Sequence, residues 1–143
     1  MIDIAIIGGG AAGLVSAINA KRQNAELNVC VFENLNRVGK KVSVTGNGRC
    51  NITNKTANPN RYHSSNIEFC SFALESFNVK KTVEFFESIG VNIIFEGDKG
   101  YPASFQASSV VDCLRFSAEN SGVLTHTEAK VTSIKIERGN DYD

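Results

Sequence analysis

A glycine triple, Gly8-x-Gly10-x-x-Gly13, stands between an isoleucine-rich run and an apolar stretch with helical spacing. That placement leaves the first thirty residues few ways to fold. Ile2 to Ile7 reads as a short strand of the kind buried on both faces. Ala11 to about Arg22 carries Leu14, Ala17, Ile18 and Lys21, an apolar stripe with a wet edge. Leu27 to Phe32 repeats the buried-strand pattern and ends in Glu33. Strand, glycine turn, helix and strand make one βαβ unit, whose parallel strands require the helical crossover.

The spacing of the glycines has a mechanical reading. The first permits a tight turn, the second lets an anion approach the backbone where a Cβ would intrude, and the third lets helix and strand pack closely. The unpaired N–H groups at the helix start then face a pyrophosphate, and the macrodipole adds ~0.3–1 kcal/mol. Glu33 lies about twenty residues past the last glycine, where a carboxylate accepts hydrogen bonds from the two ribose hydroxyls of an adenosine. At an effective dielectric of 20, a 2′-phosphate 4 Å from it is repelled by ~4 kcal/mol per unit charge. That argues for NAD or FAD over NADP at this site, with Arg37, Lys40 and Lys41 offsetting part of the penalty.

Composition narrows the class further. The chain has 143 residues, 42% of them hydrophobic, with 15 basic and 15 acidic side chains. A core is affordable and there is no net field to attract nucleic acid or an acidic membrane. Cys30, Cys50, Cys70 and Cys113 form no C-x-x-C pair, and two histidines complete no zinc pattern. They read as reduced thiols of a cytoplasmic protein, and no metal site is expected. Between Ile4 and Ile18 the one polar side chain is Ser16. Asp3 in place of a basic start and the Gly8-Gly9-Gly10 break oppose a signal peptide there.

Asn34 to about Arg61 is polar, glycine-bearing and locally basic, long for a plain connection and therefore a functional candidate. Arg37-Val-Gly-Lys-Lys41 leads into Thr45-Gly-Asn-Gly-Arg-Cys-Asn51, then Thr53 and Asn54. Gly46 and Gly48 can take positive φ and present amide N–H groups to phosphate, ribitol or a polar ring edge. A plainer reading stands beside it: Val42 and Val44 alternate with polar residues before Asn47-Gly48, a hairpin turn signal.

The remaining pattern predicts helices over Asn66–Phe77, Val79–Ser88 (stopped by Gly90) and Val110–Ala118. It predicts strands over Val91–Phe95, Val123–Thr127 and Lys130–Glu137, with a turn over Asp98–Ser104. Phe69, Phe72, Phe77, Phe85 and Phe86 read as core faces, as do Cys30, Cys70 and Cys113. No catalytic residue is assigned; Cys50 is the sharpest candidate, since glycines, Arg49 and Lys41 nearby can lower a thiol pKa, and beside it stands the commoner reading of a thiol that packs within its loop. His63 and His126 read as ordinary loop and strand residues.

Taken together, the glycine triple with Glu33, Gly39-Lys40-Lys41, and Thr45-Gly-Asn-Gly-Arg-Cys-Asn51 with Thr53-Asn54 resemble a family of bacterial FAD-dependent oxidoreductases. It is labelled HI0933-like, BaiN-like or aminoacetone-oxidase-like. Tyr101-Pro-x-Ser104, the following helix and Gly122–Ile136 are similar to its next segment, although Phe is common where Tyr101 stands. The resemblance implies an α/β, Rossmann-type FAD-binding domain of a two-dinucleotide-binding-domain flavoprotein. Gly8, Gly10, Ala11, Ala12 and Gly13 fall to the pyrophosphate and Glu33 to the ribose. Lys40, Lys41, Gly46, Asn47, Gly48, Arg49, Cys50 and Asn51 fall along the rest of FAD, and the Val131 backbone to adenine.

Family chains run well past residue 143, so residues 1–143 are expected to be an amino-terminal portion, with the Rossmann domain incomplete. The expected partners are FAD, NAD(P)H and a small-molecule substrate, without nucleic acid or membrane. Two other readings remain at this point. One is an NAD-dependent dehydrogenase domain, for which the long basic loop is unnecessary. The other is a nucleotide-binding fragment without turnover.

Overall fold

The isoleucine run and the two later apolar runs meet in a parallel sheet, as the βαβ pattern requires. In the computed structural model, which describes residues 1–63, 65–66 and 68–136, β1 (Ile4–Ile7), β2 (Val29–Phe32) and β6 (Leu124–His126) lie in the order β1-β2-β6. Both pairings are parallel, with Ile6 opposite Val31 and Val31 opposite Thr125. Helix α1 (Ala11–Gln23) makes the crossover between β1 and β2. Asp3 fastens the start of the pair, its carboxylate accepting from the Asn28 backbone N–H at 2.7 Å and side-chain amide at 2.9 Å.

Helix α4 (Ala107–Asn120) buries Ala107, Val110, Leu114 and Ala118, positions three or four apart that form one stripe. That stripe meets Leu14, Ala17 and Ile18 of α1 and Val29 and Val31 of β2 in one core. Ile4 and Ile6 pack on it from β1. The opposite row of the sheet is open on its two outer strands, with Ile7 56% and Leu124 61% exposed, while Cys30 on the central strand is buried. Thus β1 is buried on one face, against the expectation of two, because no element among the described residues covers the other. Phe32 and His126 stack on that open side at 5.4 Å.

A second, antiparallel sheet carries the middle of the chain. Its order is β3-β5-β4, from β3 (Thr53–Asn54), β4 (Ile93–Glu96) and β5 (Lys99–Pro102). The expected turn at Asp98–Ser104 is in fact a hairpin strand, β5, paired along β4 from Ile93 to Glu96. The chain reverses at Gly97, where φ is +56°, so the turn exists but is tighter and earlier than the sequence pattern indicates. Helix α3 (Val79–Ser88) starts on Asn78, whose side chain accepts from the Lys81 N–H. It ends at Gly90 with φ +91°, the left-handed cap that glycine supplies without penalty.

Other expectations need correcting. Val42–Gly48 is a kinked 3-10 segment, not a hairpin arm. The segment runs against α4, with Val42 buried in the core and Val44 exposed, and no strand lies beside either among the described residues. Residues 130–136 form no strand, and 137–143 lie outside the described residues. Helix α2 (Glu68–Ser76) has no buried residue: Phe69 is 85% and Phe72 79% exposed. Phe85 is core and Phe86 half-buried against it, whereas Phe77 is exposed. Cys30 is buried and Cys113 packs half-buried against the core, as expected, whereas Cys70 is half-exposed and outside it.

Candidate nucleotide-binding crevice

At the carboxyl end of β1 the chain turns through Gly8, φ +99°, and enters α1 at Gly10. Gly10 caps the helix with no side-chain hydrogen bond, no acidic residue lies in the first turn, and Lys21 and Arg22 lie in the last. The helix therefore presents uncapped N–H groups and a positive dipole end to the space above the turn. An ideal Cβ on Gly10 meets nothing within 4 Å, whereas one on Gly13 falls 2.0 Å from the Gly8 carbonyl oxygen. The two glycines do different work: Gly10 keeps a cradle open and Gly13 lets α1 lie against β1.

Glu33 ends β2 and ties the glycine turn to the loop beyond the strand. Its Oε2 accepts from the Gly9 N–H at 2.7 Å and its Oε1 from the Leu35 N–H at 2.8 Å. Two backbone donors therefore fix the carboxylate at the mouth of the crevice, with lone pairs left for further donors. The Gly39 N–H donates to Gly9 O at 2.8 Å, which brings Gly39, Lys40 and Lys41 alongside. Gly39, with φ +70°, sits so close to α4 that a Cβ falls 2.5 Å from Val111 Cγ1.

The resulting crevice has a volume of about 700 Å³, within the range usual for ligand clefts. Of the expected residues it gathers Gly8, Gly10, Ala11, Ala12, Gly13, Glu33, Lys40, Lys41, Cys50 and Asn51. It does not gather Gly46, Asn47, Gly48, Arg49 or Val131. The loop glycines stand outward, and Val131 follows Ala129, whose N–H donates to the Glu33 carbonyl at 2.9 Å. The Arg49 guanidinium turns away to Glu96, Tyr101 and Phe105. The floor, which no motif announced, is apolar: Val42, Ile52, Phe86, Val110 and Leu114. Of these, Val110 and Leu114 are visible in the sequence as a helix stripe, though not as a ligand floor.

Cys50 lines the crevice but is buried. Burial raises its thiol above the usual cysteine range, a hydrogen bond with Thr45 opposing in part. The expected thiolate activation is thus reversed, because Arg49 is engaged elsewhere and desolvation disfavours the charged form. Among the described residues, no three His, Cys, Asp or Glu side chains gather as a metal site. No helix of the described residues is long and apolar enough to cross a membrane.

Residues 2–143 match the model of the HI0933-like protein Rossmann domain. The chain belongs to the HI0933-like family. It is 39% identical, over 95% of its length, to the 3-dehydro-bile acid delta(4,6)-reductase of Clostridium scindens. It is 32% identical, over 99% of its length, to the ribosomal RNA dihydrouridine synthase of Escherichia coli. It spans 33% and 35% of those relatives.

Solved structures share the fold, two of them as follows. The 3-ketosteroid-delta4-(5alpha)-dehydrogenase of Rhodococcus jostii RHA1 has a TM-score of 0.58 at 16% identity, over 88% of this chain and 37% of that one. Thermovibrio ammonificans THI4 has a TM-score of 0.57 at 17% identity, over 88% and 38%. The α/β, Rossmann-type fold that the resemblance implied thus holds for this HI0933-like chain.

Proposed function

We propose that residues 1–143 are the amino-terminal, FAD-binding portion of an oxidoreductase that acts on a carbon–carbon double bond conjugated to a carbonyl. The cofactor reading is carried by one observation: the uncapped start of α1 above an open glycine turn, with the Glu33 carboxylate held at the same crevice. In this reading the α1 amides and Gly10 take the diphosphate, and Glu33 takes the ribose hydroxyls. Lys40 and Lys41 add positive charge beside it, and Thr45, Cys50, Asn51 and Ile52 wall the remainder. When bound, FAD supplies the two-electron chemistry; the protein positions it and excludes water along the apolar floor. Cys50, protonated and buried, packs there and is no base.

The substrate class rests on the relatives. One is named a 3-dehydro-bile acid delta(4,6)-reductase and the other a ribosomal RNA dihydrouridine synthase; from the two names we take reduction of a carbon–carbon double bond beside a carbonyl as the class for this chain. NAD(P)H as reductant, a small-molecule substrate and a cytoplasmic setting, the last from four cysteines with no C-x-x-C spacing, complete the proposal.

The test is titration of the purified protein with FAD, NAD⁺ and ADP, read by calorimetry and by flavin absorbance. FAD and ADP are expected to bind in competition. Binding of NAD⁺ with no affinity for FAD would replace this reading with that of an NAD-dependent dehydrogenase domain.

A further inference from the structure

Arg49 is the one cation of the Thr45–Asn51 string, and the fold withholds it from the crevice. Its guanidinium carbon lies 4.3 Å from the Tyr101 ring centre and 4.4 Å from that of Phe105. The two rings are themselves 6.0 Å apart. The same guanidinium is ion-paired with Glu96. All three partners belong to the β4–β5 hairpin or the turn just after it.

The backbone around this cluster is unusual. Gly46, Asn47, Gly48 and Cys50 all have φ between +55° and +80°, and Phe105 has φ +53°. Asn47, Cys50 and Phe105 are three of the four non-glycine residues with positive φ among the described residues. Such conformations persist only where surrounding contacts over-determine them, and they concentrate at ligand clamps. Here the clamp is Arg49. The Ile52 N–H, donating to Gly100 O at 2.8 Å, is a second tie to the same hairpin.

We infer that Arg49 is a positioning residue: gripped by Tyr101, Phe105 and Glu96, it fixes the left-handed turn so that Thr45, Cys50, Asn51 and Ile52 form the crevice wall beyond the adenosine. This rests on the dinucleotide reading above and deepens it. Arg49 acts on the half of FAD that lies past the diphosphate and leaves the ADP half alone, since the glycine turn and Glu33 are held by other contacts. A planar guanidinium is needed, because it stacks on an aromatic face and offers several donors to a carboxylate at once, whereas an ammonium is a compact point charge.

The test compares FAD with ADP affinity, by calorimetry, in the full chain and in Arg49→Ala, Arg49→Lys and Glu96→Gln. Arg49→Ala is expected to weaken FAD about tenfold, the loss that comes from removing two partly exposed cation–π contacts. ADP should stay within about twofold, at the scale of a surface change remote from its contacts. Arg49→Lys is expected to resemble Arg49→Ala, and Glu96→Gln to weaken FAD alone by a smaller factor. Full rescue by lysine, or equal loss of FAD and ADP across all three variants, overturns the positioning role. Absence of ADP binding in the unaltered chain would instead overturn the dinucleotide reading.

Discussion

Alanine placed at Gly13 and at Gly10 should separate folding from binding. At Gly13 the new Cβ falls 2.0 Å from Gly8 O, 3.2 Å from Gly8 C and 3.3 Å from Ile6 Cγ2. The first of these is about 1.3 Å inside an ordinary C···O contact of roughly 3.3 Å. The obstacle is backbone, so relief requires lifting α1 from β1 rather than turning a side chain. Overpacking of this kind destabilises by ~1–3 kcal/mol or more, and the upper end applies here. Alanine's better helix propensity returns up to ~1 kcal/mol. The net expectation is a loss of about 2 kcal/mol, or roughly 6 °C in Tm for a chain of this size.

Gly10 has φ −80° and ψ −172°, open to any residue, and no neighbour within 4 Å of a Cβ. Gly10→Ala should therefore leave stability within about 0.5 kcal/mol. It should weaken FAD by at least about tenfold, equivalent to 1.4 kcal/mol. Urea unfolding gives the stabilities and calorimetry the affinities. A Gly13→Ala protein melting within a degree of the original would refute the close-packing argument. A Gly10→Ala protein binding FAD normally would refute the cradle.

Further outcomes are expected at three residues. Glu33→Gln puts an amide NH₂ against the Gly9 or Leu35 N–H, removing one charge-assisted bond at ~1–3 kcal/mol; calorimetry should also show that it no longer distinguishes ADP from 2′-deoxy-ADP, as the unaltered protein should. Cys50, protonated by burial, should alkylate more slowly at pH 8 than half-exposed Cys70, as peptide mapping by mass spectrometry would reveal. Because its folded pKa is raised, its stabilising contribution is complete below the ordinary value of 9.0 and is lost as pH rises through the folded one; Cys50→Ala should flatten that alkaline limb in urea midpoints. Asp3 behaves oppositely: the Asn28 N–H holds its pKa below 3.8, so its contribution is present above that value and lost as pH falls through the lowered one. Asp3→Asn should remove that acid limb and little else.

How much is legible in the sequence depends on whether a signal is local. Glycine spacing, a four-residue apolar run and an i, i+4 stripe are written in adjacent residues, and β1, α1, β2, α3 and α4 come from them. The Gly8–Gly13 turn and Glu33 belong to the same class, since turn, helix start and strand end are consecutive in the chain. Long-range partners are not legible. Val42 and Val44 carry strand-like alternation, yet Val42 is buried in the core and Val44 is exposed, with no strand beside either. Phe69 and Phe72 have the composition of a core face, but nothing among the described residues covers them. Arg49 falls along FAD by the resemblance of its string alone; its neighbours in the fold, from Glu96 to Phe105, lie far along the chain. Cys50 shows the same failure in its chemistry, because burial depends on contacts that no spacing encodes.

The most direct measurement is an ¹⁵N amide titration of this chain with ADP. The account predicts the largest shifts at Gly9, Gly10, Ala11 and Ala12, and at Leu35, whose N–H reports on the Glu33 carboxylate. A saturable set of shifts elsewhere, with those five amides unmoved, would contradict it.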